Sequence, residues 1–266
     1  KMNENKSGLI STIIFFIMFF MFTSPCWSTM LAAWVENTDN PFDYARITDV
    51  EYQAVVVDEP GSEGKVVITE RLTFDIHAAS RDNGFWELWR DLPEDTVDGV
   101  PVYYEVNSVK QILDDGTEIV WEESPKLYWD DYDYVSSELG PGKWFHSEGP
   151  FNDYDQFECL MFYIDDVYRD EMTFEIEYEI HNAALRYNDC SDLYLTMYSG
   201  ETCKHLDSYK AEILIPDKDM PAEGNYYFNS YGTNKHTLPV TESTTANPGY
   251  HTFTIDLDKS DLKFKS

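Results

Sequence analysis

The chain has 266 residues, 50 acids against 19 bases for a net charge of −31, and is 42% apolar and 16% aromatic. That apolar share is enough for a packed core and argues against wholesale disorder, and the length suits one large β domain or two small ones. The charge excludes the clustered Lys and Arg that nucleic acid or an anionic membrane surface demands; cations or a basic partner are the natural counterions, although the commoner use of an acidic surface is to keep a protein soluble.

Met2 reads as the native start, with Lys1 and Lys6 as a basic opening to the apolar run Leu9 to Phe22. Those 14 residues suit the hydrophobic region of a signal peptide and fall short of the about 20 that a spanning helix needs. The small residues at Ser24-Pro25-Cys26 and Leu31-Ala32-Ala33 offer two places for cleavage. A lipoprotein reading of Cys26 meets Pro25 where Gly or Ala is wanted. Residues 1–35 are therefore expected to be a signal peptide or an uncleaved membrane anchor, and the rest of the chain is expected outside the cytoplasm.

A polar linker, Glu36 to Asp43, leads into a strand from Ala45 to Val57, with Val50, Tyr52, Ala54 and Val56 on one face. The turn formers Asp58 to Gly64 imply a hairpin, and the chain returns from Lys65 to Ile76 with Val66, Ile68, Leu72 and Phe74 in phase. Glu70 falls on that apolar face, and a buried carboxylate needs a partner; Arg90 is the candidate. Gly84 to Pro93 packs two Trp and a Phe into five residues. These could form a stacking platform for a ligand, but large aromatics are more often core, and the segment is expected to plug the end of a sandwich. Val100 to Val106 alternates weakly. Val109 to Leu113 and Glu118 to Trp121 flank Asp114-Asp115-Gly116, a two-residue hairpin signal in its Asp-Gly.

From about residue 124 to 157 the composition shifts to an acidic, aromatic stretch that reads as a long insert between strands. Its acids Asp130, Asp131, Asp133, Asp153 and Asp155 are hard oxygen ligands of the kind calcium takes, about six to eight at a time, but their spacing follows no known loop. The simpler reading is a solvated acidic face, so no cofactor is expected and calcium is the alternative. Glu171 to His181 then alternates cleanly, Phe174, Ile176, Tyr178 and Ile180 against Glu175, Glu177, Glu179 and His181. An acidic corner, Asp189 to Tyr194, a Gly turn and a strand from Tyr209 to Ile215 closed by Pro216 follow. Cys190 and Cys203 flank the short strand around Tyr194 and are the best disulfide pair, which leaves Cys159 as a buried thiol. A zinc site built from these cysteines with His181 and His205 matches no compact ligand spacing. Short strands continue at Asn225 to Tyr231, His236 to Val240 and His251 to Leu257, and the last, from Asp261, stops without a closing turn. There is no internal repeat. The pattern implies an all-β, sandwich-like antiparallel domain over residues 36–216, continued by strands over 217–266.

Three motifs in order resemble the DUF2207 family of predicted bacterial membrane proteins: Thr69-Glu70-Arg71, Arg90-Asp91-Leu92-Pro93, and Tyr178-Glu179-Ile180 with the following acidic corner and Ile215-Pro216. The resemblance covers about Ala45 to Pro216. It implies a signal peptide, an extracytoplasmic β-rich domain and transmembrane helices near the C-terminus, in the bacterial cell envelope, and it supplies no activity and no catalytic residues. Two departures stand out. Leu195 and Cys203 lie where the family tends to carry Trp, so a Cys190–Cys203 bridge could replace that aromatic packing. The C-terminal helices are missing, which suggests a fragment or a truncated paralogue.

No nucleophile elbow, zinc-peptidase helix motif, phosphate loop or EF-hand series occurs. The expected function is therefore a binding or structural module, not an enzyme, held to the membrane through the N-terminal segment and meeting an envelope protein or a glycan. The alternatives are a calcium-stabilised adhesion module and a glycan-binding module. A glycosidase is disfavoured, because two neighbouring acids carry little information in so acidic a chain.

Overall fold

The computed structural model describes residues 45–57, 64–77, 85–93, 96–97, 99–124, 141–147, 157–167, 169–186, 191–197, 206–221, 226, 228, 237–259 and 261. Among these the chain is all-β. In order the strands are β1 (Ala45–Val56), β2 (Val66–His77), β3 (Phe85–Pro93), β4 (Thr96–Val97), β5 (Val100–Pro101), β6 (Tyr103–Ile112), β7 (Glu118–Val120), β8 (Glu122–Glu123), β9 (Lys143–Ser147), β10 (Phe157–Val167), β11 (Arg169–His181), β12 (Ala184–Arg186), β13 (Ser191–Leu193), β14 (Ser208–Pro216), β15 (Thr241–Ser243) and β16 (Tyr250–Asp258). An eight-stranded sheet runs β15-β16-β14-β1-β2-β11-β6-β7, a four-stranded sheet runs β3-β10-β9-β8, and two small ribbons pair β12 with β13 and β4 with β5. Pairing is antiparallel except for β1 with β14 and β8 with β9, which are parallel.

The clean alternations of β2 and β11 become the middle of the large sheet, joined over twelve residue pairs from Arg169↔His77 to Ile180↔Val66. Their inward faces, Val66, Ile68, Leu72, Phe74 and Ile76 with Phe174, Ile176, Tyr178 and Ile180, are buried and belong to the same apolar cluster as Leu88, Leu92, Trp144, Leu160, Phe162 and Ile164 of the small sheet. Aromatic edges and faces lock the layers: Phe162 stacks on Phe174 at 4.8 Å, and Trp121 meets Phe174 edge-on at 4.9 Å. The two sheets therefore share one core, as a sandwich requires.

Two bulges explain where alternation in the sequence is weak. On β1 the register shifts between Ile47 and Asp49, so Ile47 and Val50 reach the same buried side although their numbers differ by an odd step. On β6 the shift opposite Glu177 and Tyr178 puts Tyr104 and Val109 on the buried side in the same way.

Several local expectations are corrected. From Phe85 the segment Gly84 to Pro93 is regular strand, β3, at the edge of the small sheet, and it sends Leu88, Arg90 and Leu92 inward. The stretch read as a continuous insert from 124 to 157 contains the strand β9, whose Trp144, Phe145, His146 and Ser147 are buried. A short, densely buried strand between turn-rich flanks has no period to reveal it. At Asp114-Asp115-Gly116 the hairpin loop has three residues. Leu113 C=O accepts from Gly116 N–H at 2.8 Å, Leu113 N–H donates to Thr117 C=O at 2.9 Å, and Gly116 takes φ +82°, which favours glycine. Among the described residues of the stretch His236 to Val240, which are 237–240, only an isolated bridge forms, and the pairing strand lies just beyond, at β15.

Candidate functional site

Glu70 and Arg90 form the ion pair anticipated from the sequence. Arg90 Nε on β3 donates to Glu70 Oε1 on β2 at 3.0 Å, with the two side chains 3% and 0% exposed. Tyr178 on β11 donates its hydroxyl to Glu70 Oε2 at 3.1 Å. Arg90 also donates to two backbone carbonyls, those of Met197 at 2.8 Å and Asp91. Burial pushes Glu70 above the usual carboxylate range, against the pull of Arg90 and of the Tyr178 hydrogen bond. Burial works hardest against the charge on Arg90, but Glu70, Tyr178 and Tyr52 together outweigh it and hold the guanidinium protonated. Tyr178 and Tyr52, buried alongside, are driven upward first by burial and then by the charge on Glu70.

Each of the three sequence motifs supplies one member of this cluster: Glu70, Arg90 and Tyr178. Thr69 and Arg71, flanking Glu70 on the strand, face the other way. A cluster sealed this completely offers no approach to a substrate. Its chemistry is to fix how the layers meet, because a sliding β3 would strand a charge.

The face of the large sheet turned away from the core is different. It presents Glu51, Glu105, Glu175, Glu177, Glu179 and Glu212 against Lys65, Arg71, Lys110 and Lys210. Bases are shared between acids: Arg71 lies 2.9 Å from Glu175 and 3.9 Å from Glu51, and Lys110 lies 3.4 Å from both Glu175 and Glu118. The Lys110 ammonium is raised by Glu118 and Glu175. A shallow depression of about 210 Å³ in this face is lined by Glu51, Gln53, Thr69, Arg71, Glu175 and Glu212, among others.

Two further pairs escaped the sequence reading. His146 Nε2 lies 2.8 Å from Glu158 Oε2 across β9 and β10, and His251 Nε2 lies 2.6 Å from Glu242 Oε1 across β16 and β15. Glu242 is held below its usual range by a hydrogen bond from Tyr226 and then by His251. Nothing local in the sequence marks such pairs, since each joins residues on different strands.

Of the residues singled out as ligands or a bridge, Asp130, Asp131, Asp133, Asp153, Asp155, Cys190 and Cys203 all lie outside the described residues, as do His205 and the apolar segment Leu9 to Phe22. Cys159 is a buried thiol, as expected.

No curated protein matches the chain. Among solved structures it is similar to an M1 zinc metallopeptidase from Deinococcus radiodurans, at 8% identity and TM-score 0.39, covering 80% of this chain and 39% of that one. It is also similar to native leukotriene A4 hydrolase from Saccharomyces cerevisiae, at 10% identity and TM-score 0.41, covering 82% of this chain and 28% of the enzyme. The chain thus spans well under half the length of either protein, and likenesses this distant assign no activity. The family model described as the N-terminal domain of a predicted membrane protein, DUF2207, matches residues 46–259, from the first strand to the last, and the chain belongs to that family.

Proposed function

We propose that this domain is an extracytoplasmic binding or structural module of a bacterial membrane protein, acting through the acidic outer face of its large sheet and catalysing no reaction. The observation that carries the reading is the contrast between the two sets of charges. The buried set, Glu70 with Arg90, is satisfied within the fold and closed to solvent. The open set leaves three acids, Glu51, Glu175 and Glu212, against two bases, Arg71 and Lys210, around a shallow depression, a surface suited to a basic or cation-bearing partner. Membership of a membrane-protein family and the expected N-terminal signal or anchor support a position outside the cytoplasm.

The test is site-specific photo-crosslinking of the full chain in bacterial cells, with the crosslinker at Gln53 in the depression and, in parallel, at exposed Asp192 on β13. A discrete adduct from Gln53, absent from Asp192 and lost when Glu51, Glu175 and Glu212 are changed together to Gln, is the expected result. Failure to form an adduct at Gln53, or one indifferent to those charges, would overturn the proposal. A membrane-impermeant thiol reagent applied to intact cells carrying Gln53→Cys checks the location: labelling is expected, and protection until lysis would refute it.

A further inference from the structure

We propose that Glu105, Glu179 and His181 form a binding site for a divalent transition ion, with zinc as the best match. Glu105 lies on β6 and the other two on β11, and the register sets Glu179 directly opposite Glu105 and His181 opposite Tyr103. Like charges facing each other across an antiparallel pair are destabilising, so this position calls for a cation. His181 Nε2 lies 3.3 Å from Glu105 Oε2 and 3.4 Å from Glu179 Oε2, and the three donor atoms fall within 4.8 Å of one another.

Two features favour an ion over a plain ion pair. Zinc with ligands at about 2.0–2.1 Å in a tetrahedron separates neighbouring donors by about 3.4 Å, the spacing His181 Nε2 already keeps from both oxygens. The nitrogen is also shielded from solvent and makes no hydrogen bond of acceptable geometry, despite those two oxygens. That leaves this nitrogen, close to both carboxylates, available to an ion shared with them. Imidazole and carboxylate suit zinc, whereas an imidazole nitrogen is a poor donor for calcium or magnesium.

The surroundings hold the ligands in place. Tyr103 stacks on the His181 ring at 4.4 Å with the planes 1° apart. Lys65 Nζ takes the other oxygen of Glu179 at 3.0 Å, orienting that carboxylate while opposing the charge of an ion. Immediately after His181, Asn182 adopts φ 62° and donates from Nδ2 to Pro101 C=O at 2.9 Å, fixing the strand end. Three protein ligands leave the fourth position to water or to a donor from a partner.

The full chain, freed of metal, is titrated with zinc chloride by calorimetry, and with cobalt(II) by visible absorption. Zinc binding that magnesium does not displace, with the intense bands of tetrahedral cobalt, is expected. His181→Gln and Glu105→Gln should each weaken zinc binding by more than about tenfold, the scale that changes even to outer-shell groups reach. Glu105 is well exposed, so its variant should melt like the parent in metal-free buffer and report on binding alone. Zinc affinity unchanged in both variants, or no binding by the parent, overturns the proposal and leaves the three residues as an ion-paired sheet surface.

Discussion

Replacing Arg90 by Met removes a guanidinium of nearly complete burial and leaves Glu70, 0% exposed, without that cation, while Tyr178 still donates its hydroxyl to it. Breaking a buried pair from one side costs about 3–5 kcal/mol in general. Here the charge part has a ceiling, because the stranded carboxylate can take up a proton. At pH 7 that costs about 1.4 kcal/mol per unit over the about 2.7 units separating an ordinary glutamate from neutrality, or about 3.7 kcal/mol. At pH 5 the same step costs about 1 kcal/mol. The sign follows from linkage: a carboxylate whose folded value lies above its unfolded value contributes most when protonated, and that contribution is lost as pH rises. The parent's Glu70 is itself raised by burial, so the penalty of Arg90→Met relative to the parent should shrink between pH 7 and pH 5 by at most about 2.7 kcal/mol. Urea denaturation of both full-length proteins at the two pH values measures it. Glu70→Met on the Arg90→Met background removes the second charge as well and should restore part of the loss at pH 7, less about 1 kcal/mol for the acceptor that Tyr178 gives up. An Arg90→Met penalty that is absent, or equal at both pH values, would refute the reasoning.

The remaining expectations are quicker to check. Arg71→Ala, on the outer face between Glu51 and Glu175, should cost at most about 1 kcal/mol, and less in high salt, as denaturation at two ionic strengths will show. Gly64 takes φ +81°, and a Cβ there would lie 2.6 Å from the Ala184 carbonyl oxygen; Gly116 takes φ +82° with nothing within 4 Å. Gly116→Ala should thus lose only the about 1–2 kcal/mol of left-handed strain, and Gly64→Ala measurably more, by the same urea assay. For Asp130, Asp131, Asp133, Asp153 and Asp155 the expected outcome is a melting temperature of the metal-free chain that millimolar calcium leaves unchanged. A rise of several degrees would establish a calcium site by mass action on folding.

The β2 and β11 alternations and the hairpin at Gly116 were legible because period 2 and turn chemistry are local, written in neighbouring residues. The Glu70–Arg90 pair was legible for a related reason: a carboxylate out of phase on an apolar face announces that it needs a cation. Tyr178 and the Met197 carbonyl, which complete the cluster, were not, because an inward Tyr looks like any other core residue until its neighbours across the sheet are known. The bulges at Thr48 and Asn107 hid in stretches where alternation fails, since an inserted residue flips the phase of everything after it. The strand β9 carries no such local signal, because it is short and four of its five residues are buried, on both faces.

By itself the sequence determined the class of fold, the inward and outward faces of its long strands, and the family, because these depend on residue order alone. Tertiary structure decided which strands neighbour which: the parallel join of β1 to β14, the edge position of β3, and the meeting of three distant motifs at one buried ion pair. It also decided that Glu105 faces Glu179 with His181 beside them. Such neighbours are set by register between strands far apart in the chain, and register is fixed by packing the whole core, so no local pattern can contain it.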